Sequence, residues 1–245
     1  MQGELKKTCI NIIKYSTRIK NMDELQRILD AYKKRDLHSI DERQYQFTRY
    51  RVHTQRERER VYSSIVKHYI PDITGAKIME IGAGGGINLL FFKAMGFKAG
   101  NIYANDLRPQ KGEQLKTILP DSYINTGNAL DLPFSEEFDI CFQATVFTSI
   151  LDEGLKQKIA QHMFDMTRKN GIVLWYDFIY DNPWNKDVKG IKPKEVKQLF
   201  PKAKQIRFYN IMLAPPIGRR VGRLYPFFNF LLPFLRSHIV AVIEK

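Results

Sequence analysis

The sequence predicts an α/β fold, a Rossmann-like seven-stranded and mostly parallel sheet with helices on both faces, preceded by an N-terminal helical cap. Three observations point there. Short apolar strand patterns alternate with helical ones from residue 71 onward, and that order requires crossover connections and parallel neighbours. The first strand pattern, Lys77 to Ile81, runs directly into Gly82-Ala83-Gly84-Gly85-Gly86, a turn whose side-chain-free positions let backbone approach a ligand closely. The last two strand patterns, Gln205 to Met212 and His238 to Ile243, complete seven strands with the final one reversed.

Taken in order, residues 1–70 read as the cap. Met22, Leu25, Ile28, Leu29 and Tyr32 share one helical face between Met22 and Lys34, and a second helix is expected from Gln55 to Tyr69. Between them, Tyr45 to His53 mixes aromatic and basic groups, as a surface for an anionic substrate would; a solvated linker with a few packed aromatics fits equally well. The alternating run Gln55-Arg56-Glu57-Arg58-Glu59-Arg60 suits an exposed helix laced by side-chain pairs. Residues 71–245 form the main domain. After the Gly-rich turn, Ile87, Leu89, Leu90, Phe91 and Phe92 continue as a helix, and the strand Asn101 to Ala104 ends at Asn105-Asp106. A fourth strand, Phe138 to Gln143, should present Gln143, Ala144 and Thr145 to the crevice, because ligands in open α/β sheets sit beyond the carboxyl ends of the strands. A helix around Gln157 to Arg168, a turn at Lys169-Asn170-Gly171 and a fifth strand to Phe178 follow. An insert at about 215–236 combines Arg219, Arg220 and Arg223 with Leu224, Tyr225, Phe227, Phe228, Phe230, Leu231 and Leu232. It suits a membrane surface or a lipid-linked substrate. Packing over the acceptor side of the sheet, or a dimer contact, is the simpler alternative.

The glycine spacing narrows the ligand. A dinucleotide fingerprint counted from Gly82 needs its third glycine at position 87, which is Ile87. Glycines at 82, 84 and 86 with an acid at Glu80 instead resemble the first motif of class I S-adenosylmethionine (SAM) dependent methyltransferases. The acid makes physical sense there, since SAM carries an ammonium and a sulfonium whereas a pyrophosphate would be repelled. Asp106, about two dozen residues on, stands where the resemblance places an acceptor for both ribose hydroxyls; it is also a candidate helix N-cap. Gly127-Asn128-Ala129-Leu130-Asp131-Leu132-Pro133-Phe134 resembles the G-D-A-x-x-L-P-F segment of the same superfamily, with Asn128 in place of the acid. Its carboxamide oxygen can still accept from the adenine amino group.

From about Tyr50 to the end, the segments Trp175-Tyr176-Asp177-Phe178, Asn182-Pro183, Val188-Lys189-Gly190-Ile191, Leu199-Phe200-Pro201, Leu213-Ala214-Pro215-Pro216 and Leu232 to His238 resemble bacterial methyltransferases encoded with surface-polysaccharide (O-antigen or capsule) genes. That resemblance implies methyl transfer to a hydroxyl of a glycan or glycan precursor by in-line displacement at the sulfonium, with S-adenosylhomocysteine as product. It assigns the cofactor to Glu80, Gly82, Ala83, Gly84, Gly86, Asp106, Leu107, Asn128, Ala129, Gln143 and Ala144, with Gln55 or Arg56 within reach if their helix lies over the crevice. Asp177 or His53 would serve as general base, and Tyr176, Asn182 and Arg207 as acceptor contacts. A SAM-binding protein without turnover and a peripheral membrane interaction protein are the rival classes.

Composition bounds the partners. In a chain of 245 residues, 44% hydrophobic, one domain can bury a substantial core. The formal charge of +13 favours an anionic partner: nucleotide sugars, polyprenyl-diphosphate glycans, anionic lipid surfaces or RNA. RNA is the weaker candidate, because the basic residues are dispersed and no nucleic-acid module is visible. The two cysteines, Cys9 and Cys141, suggest neither a disulfide framework nor a metal site. Polar residues interrupt the N-terminal apolar positions, and the longest apolar run, Leu224 to Leu235, is broken by Pro226, Asn229 and Pro233. A cytoplasmic protein, peripheral at most to the inner face of the membrane, is expected.

Overall fold

The computed structural model describes residues 20–36 and 48–245; Cys9, the N-terminal segment around it, and Tyr45 to Phe47 lie outside the described residues. A helix over residues 20–36 (α1) is followed by α2 (Arg49–Tyr69), β1 (Ile78–Ile81), α3 (Ile87–Met95), β2 (Ile102–Asp106), α4 (Pro109–Ile118), β3 (Tyr123–Thr126) and β4 (Phe138–Ala144). Then come α5 (Glu153–Met166), β5 (Thr167–Phe178), α6 (Pro193–Leu199), β6 (Gln205–Leu213), α7 (Pro215–Val221), α8 (Tyr225–Leu231) and β7 (Arg236–Glu244). The seven strands pair in the order β3-β2-β1-β4-β5-β7-β6, with β7 antiparallel to both of its neighbours and the other pairs parallel.

Alternation along the strands divides the core. Met79, Cys141, Val173, Trp175 and Ala241 face one layer of helices, while Ile78, Ile140, Leu174, Val240 and Val242 face the other. Strands buried on both faces read as continuous apolar runs, which is why the sheet was visible in the sequence. β1 and β4 pair centrally, with Glu80 beside Phe142 and Ile81 beside Gln143, so their carboxyl ends open into one crevice. Cys141 is buried, and its thiol is pushed up to about 12 by that burial.

Two helices depart from expectation. In α1 the inward residues are Glu24, Leu25, Ile28 and Tyr32, whereas Met22 is 62% exposed. Glu24 turns inward because it accepts from the backbone N–H groups of Leu151 (2.6 Å) and Asp152 (3.3 Å) while pairing with Arg27, whose Nη2 donates to Ser149 O. Helix α2 starts at Arg49, capped by the Thr48 hydroxyl, six residues before the expected start. Its alternating charge run is therefore not a wholly solvated face: Gln55 donates to Glu59 as an exposed pair would, but Glu57 is buried. That carboxylate accepts from Met212 N, Asn229 Nδ2 (2.8 Å) and Tyr225 OH (2.9 Å), and so fastens α2 to β6 and α8.

Candidate active site

The crevice at the carboxyl ends of β1, β2, β4 and β5 has two lobes. The larger, about 560 Å³, is lined by the Gly82-to-Gly85 turn, Asn88, Ala144, Thr145 and Tyr176, and on the far side by Tyr50, Arg58, Met212, Pro215 and His238. The smaller, about 80 Å³, lies between β2 and α1, against Asp106, Leu107, Asn128, Ala129, Leu25, Ile28 and Tyr32.

Residues that are neighbours in sequence build the first wall. Gly82 (φ 70°), Gly84 (φ 56°) and Gly86 (φ 74°) all adopt the left-handed region, so the turn could not be made with ordinary side chains. A Cβ at Gly82 would also strike the side chain of Val146. At Gly86 it would meet Leu115 and Ile118, so that glycine lets α3 pack on α4 and does not face the crevice. Glu80 is fully buried beneath the turn. Its Oε1 accepts from Asn88 Nδ2 (2.7 Å), and its Oε2 has no partner. Burial pushes this carboxyl up to about 8, against the opposing pull of Asn88 and Arg58. Asp106 accepts from Gly84 N (2.8 Å) and Arg108 N (2.9 Å), and pairs with the Arg108 guanidinium at 3.0 Å. That guanidinium lies 4.2 Å from the centre of the Tyr32 ring. Asn128 lines the smaller lobe, with its carbonyl oxygen accepting from Leu130 N as a turn cap.

The opposite wall was largely missed in the sequence. Arg58 lies 5.1 Å from the centre of the Tyr176 ring, and its Nε is shielded from solvent without a partner. Burial works to lower its pKa, and the facing Tyr62, Tyr176 and Glu80 more than reverse this, so the charge persists. His238 stacks on Tyr176 at 5.5 Å, and its Nδ1 meets Ser237 Oγ at 3.0 Å. Burial and the Arg58 charge push the imidazole down to about 4, so it is neutral at pH 7.

Of the residues expected at the site, Gly82, Ala83, Gly84, Ala144 and Tyr176 line the larger lobe, and Asp106, Leu107, Asn128 and Ala129 the smaller. Glu80, Gly86 and Gln143 line neither lobe; Gln143 is buried, donating to Tyr176 O and Asp177 Oδ2 and accepting from Val146 N. Asp177 is also buried away from both, its two oxygens taken by Gln143 Nε2 (2.9 Å) and Thr148 Oγ1 (2.8 Å). His53 stacks on Tyr225 at 5.2 Å, Asn182 caps the turn at Trp184, and Arg207 pairs with Tyr69 and Glu244 on β6. None of these three lines the crevice. Gln55 does, and Arg56 does not. Among the described residues no cluster of His, Cys, Asp or Glu could hold a metal ion.

Residues 79–175, from β1 through most of β5, match the family model described as methyltransferase domain. Residues 79–175 carry a methyltransferase domain, and a domain of this family implies SAM as the cofactor. The fold is shared with a SAM-dependent methyltransferase from Thermotoga maritima described as a possible histamine N-methyltransferase (14% identity, 85% of this chain and 97% of that one, TM-score 0.59). It is shared as well with a SAM-dependent methyltransferase from Archaeoglobus fulgidus (12%, 80% and 99%, 0.54) and a putative sarcosine dimethylglycine methyltransferase from Galdieria sulphuraria (12%, 78% and 84%, 0.53). At these identities the likeness is one of fold. No curated protein matches the chain. The residues present fit the cofactor: the unpartnered Glu80 Oε2 is a buried acceptor suited to an ammonium, and it lies under a turn with no side chains to obstruct approach.

Proposed function

We propose that this methyltransferase acts on a hydroxyl of a glycan or glycan precursor that carries an anionic group. When bound, SAM supplies a methyl group activated by its sulfonium. Glu80 would hold the ammonium, the Gly82-to-Gly85 backbone the amino-acid portion, Asp106 the ribose, and Leu107, Asn128 and Ala129 the adenine. The smaller lobe, at about 80 Å³, is bounded by Tyr32 and Arg108, the side chains that would move to widen it for a purine.

The observation that carries the acceptor reading is the charge of the larger lobe. Arg35, Arg51, Arg58 and Lys111 line it, together with Arg108, which pairs with Asp106, and Asp36 is the one acid among the described lining residues. A cofactor that is itself cationic at two centres does not call for that excess, whereas a phosphate or carboxylate on the acceptor does. Tyr50 and Tyr176 offer ring faces against which the C–H face of a sugar can pack. His238, neutral and with no hydrogen bond at Nε2, takes the hydroxyl proton in place of Asp177, whose oxygens are both engaged. Burial is the main cause that depresses His238, and an acceptor anion near Arg58 would relieve the smaller part that comes from the Arg58 charge.

Release of S-adenosylhomocysteine, measured across a nucleotide sugar, a phosphorylated oligosaccharide, the matching neutral sugar and a short RNA, tests this. Turnover with the charged carbohydrates and little with the neutral one is expected. Equal turnover with the neutral sugar, or turnover with RNA alone, would refute the acceptor assignment.

A further inference from the structure

The α7–α8 insert has an outer face that none of the described residues uses. Its inner face is fully engaged: Tyr225 and Asn229 are buried on Glu57, Phe228 and Leu232 pack with Tyr50 and Leu213, and Arg236 donates to both Asn229 O and Oδ1. Gly218 lies so close to the Tyr50 ring that a Cβ there would clash. Held in this way, Phe227, Phe230, Leu231 and Phe234 cannot fold inward and stand exposed, Phe230 at 83% and Phe234 at 71%. Clustered exposed aromatic and aliphatic groups of this kind mark an interaction surface. The charge within the insert is one-signed: residues 215–235 contain Arg219, Arg220 and Arg223 and no Asp or Glu.

We infer that this face docks on an anionic phospholipid bilayer, with the phenylalanines entering the boundary between headgroups and acyl chains and the arginines facing the lipid phosphates. A second copy of the chain is a poorer occupant, because a two-fold contact would set this acid-free stretch against itself. The docked face adjoins the crevice: Pro215 lines the larger lobe, and Tyr50 touches both the lobe and Gly218. The inference is independent of the acceptor reading. Among the described residues no helix is long and apolar enough to span a membrane, so the contact is peripheral.

The test is co-sedimentation of the full chain with vesicles of phosphatidylcholine, with and without phosphatidylglycerol. Binding only when the anionic lipid is present is expected, weakening as salt is raised. Combining Phe227→Ser, Phe230→Ser and Phe234→Ser should lower the partition at least about tenfold, while SAM titration confirms that the variant remains folded. Arg220→Gln and Arg223→Gln should each lower it about fivefold. Failure of the wild-type chain to sediment with anionic vesicles overturns the inference, as does unchanged binding by the triple variant. So does a solution dimer that the triple variant dissolves while vesicles capture nothing, which would make the second copy the occupant.

Discussion

The two walls of the crevice differ in how far apart in the chain their partners lie. On the β1–β2 side, Glu80 is held by Asn88 eight residues on, Gly84 by Asp106 after 22, and Asp106 by Arg108 after two. On the β5–β7 side, Glu57 meets Met212 across 155 residues and Asn229 across 172, while Tyr50 reaches Leu213 across 163. The first wall is a local motif that any strand–turn–helix of this spacing reproduces. The second depends on the way α2, β6 and the insert dock together, and it is the side free to specialise for an acceptor.

Glu80→Gln should have the largest effect on the comparison. An amide cannot neutralise an ammonium, so calorimetry should show SAM affinity falling by at least about a hundredfold, the scale of a lost charge-assisted hydrogen bond in a dry site. The same change should stabilise the cofactor-free protein at alkaline pH. Glu80 at about 8 and Asp177 at about 7 both lie above the usual carboxylate range, so the folded chain keeps protons that the unfolded chain has released, and stability falls as pH rises. His238, lowered to about 4, works in the opposite sense but only below its ordinary value of 6.5. Between pH 6.5 and 8.5 the melting temperature of the wild-type apoprotein should therefore drop. The Gln variant should lose most of that slope and melt at least about 2 °C higher at pH 8.5. An equally steep slope in the variant would show that Glu80 is not the titrating group.

Arg58→Met separates the walls. For a charged acceptor, kcat/KM should fall roughly ten- to a hundredfold while SAM affinity changes by less than about threefold. If calorimetry instead shows SAM binding lost in step with turnover, Arg58 belongs to the cofactor side and the division fails. On the cofactor side, Asp106→Ala should cost about tenfold or more in SAM affinity. Arg108→Ala should tighten SAM binding about threefold, because it frees a carboxylate now occupied by a partly exposed partner. A weakening would mean that Arg108 itself holds the cofactor. The smallest functional effect is expected of Asp177→Asn. It should lower stability by about 1–3 kcal/mol, since the new amide faces the donors of Gln143 and Thr148. The pH dependence of kcat should keep its shape, whereas loss of its acid limb would restore Asp177 as the base.

The legible parts of the molecule share a cause. The alternation of strands and helices, the reversed last strand and the Gly-rich turn were readable because apolar patterning and glycine spacing act over a few residues. Gln143, Asp177, Asn182 and Arg207 show the limit of that reading. Each was a candidate from its place in the sequence, yet the direction of its side chain is set by packing between elements. Arg58 illustrates the converse. With the helix begun at Gln55 its charge run looks solvated; begun at Arg49, a stripe through Tyr50, Thr54, Glu57, Tyr62 and Ile65 turns inward and carries Arg58 to the crevice edge.

By itself, then, the sequence determined the α/β architecture, the cofactor class and the two carboxylates, Glu80 and Asp106, that flank the turn, because these follow from residues close together in the chain. Tertiary structure alone decided which face of α2 is buried, that Arg58 and His238 share a wall with Tyr176, and that the insert holds its phenylalanines outward. Those outcomes come from contacts between segments far apart in the chain, 62 residues for His238 on Tyr176 and 155 or more for Glu57 on its partners. Burial and charge there are properties of the assembled fold, and no local pattern encodes them.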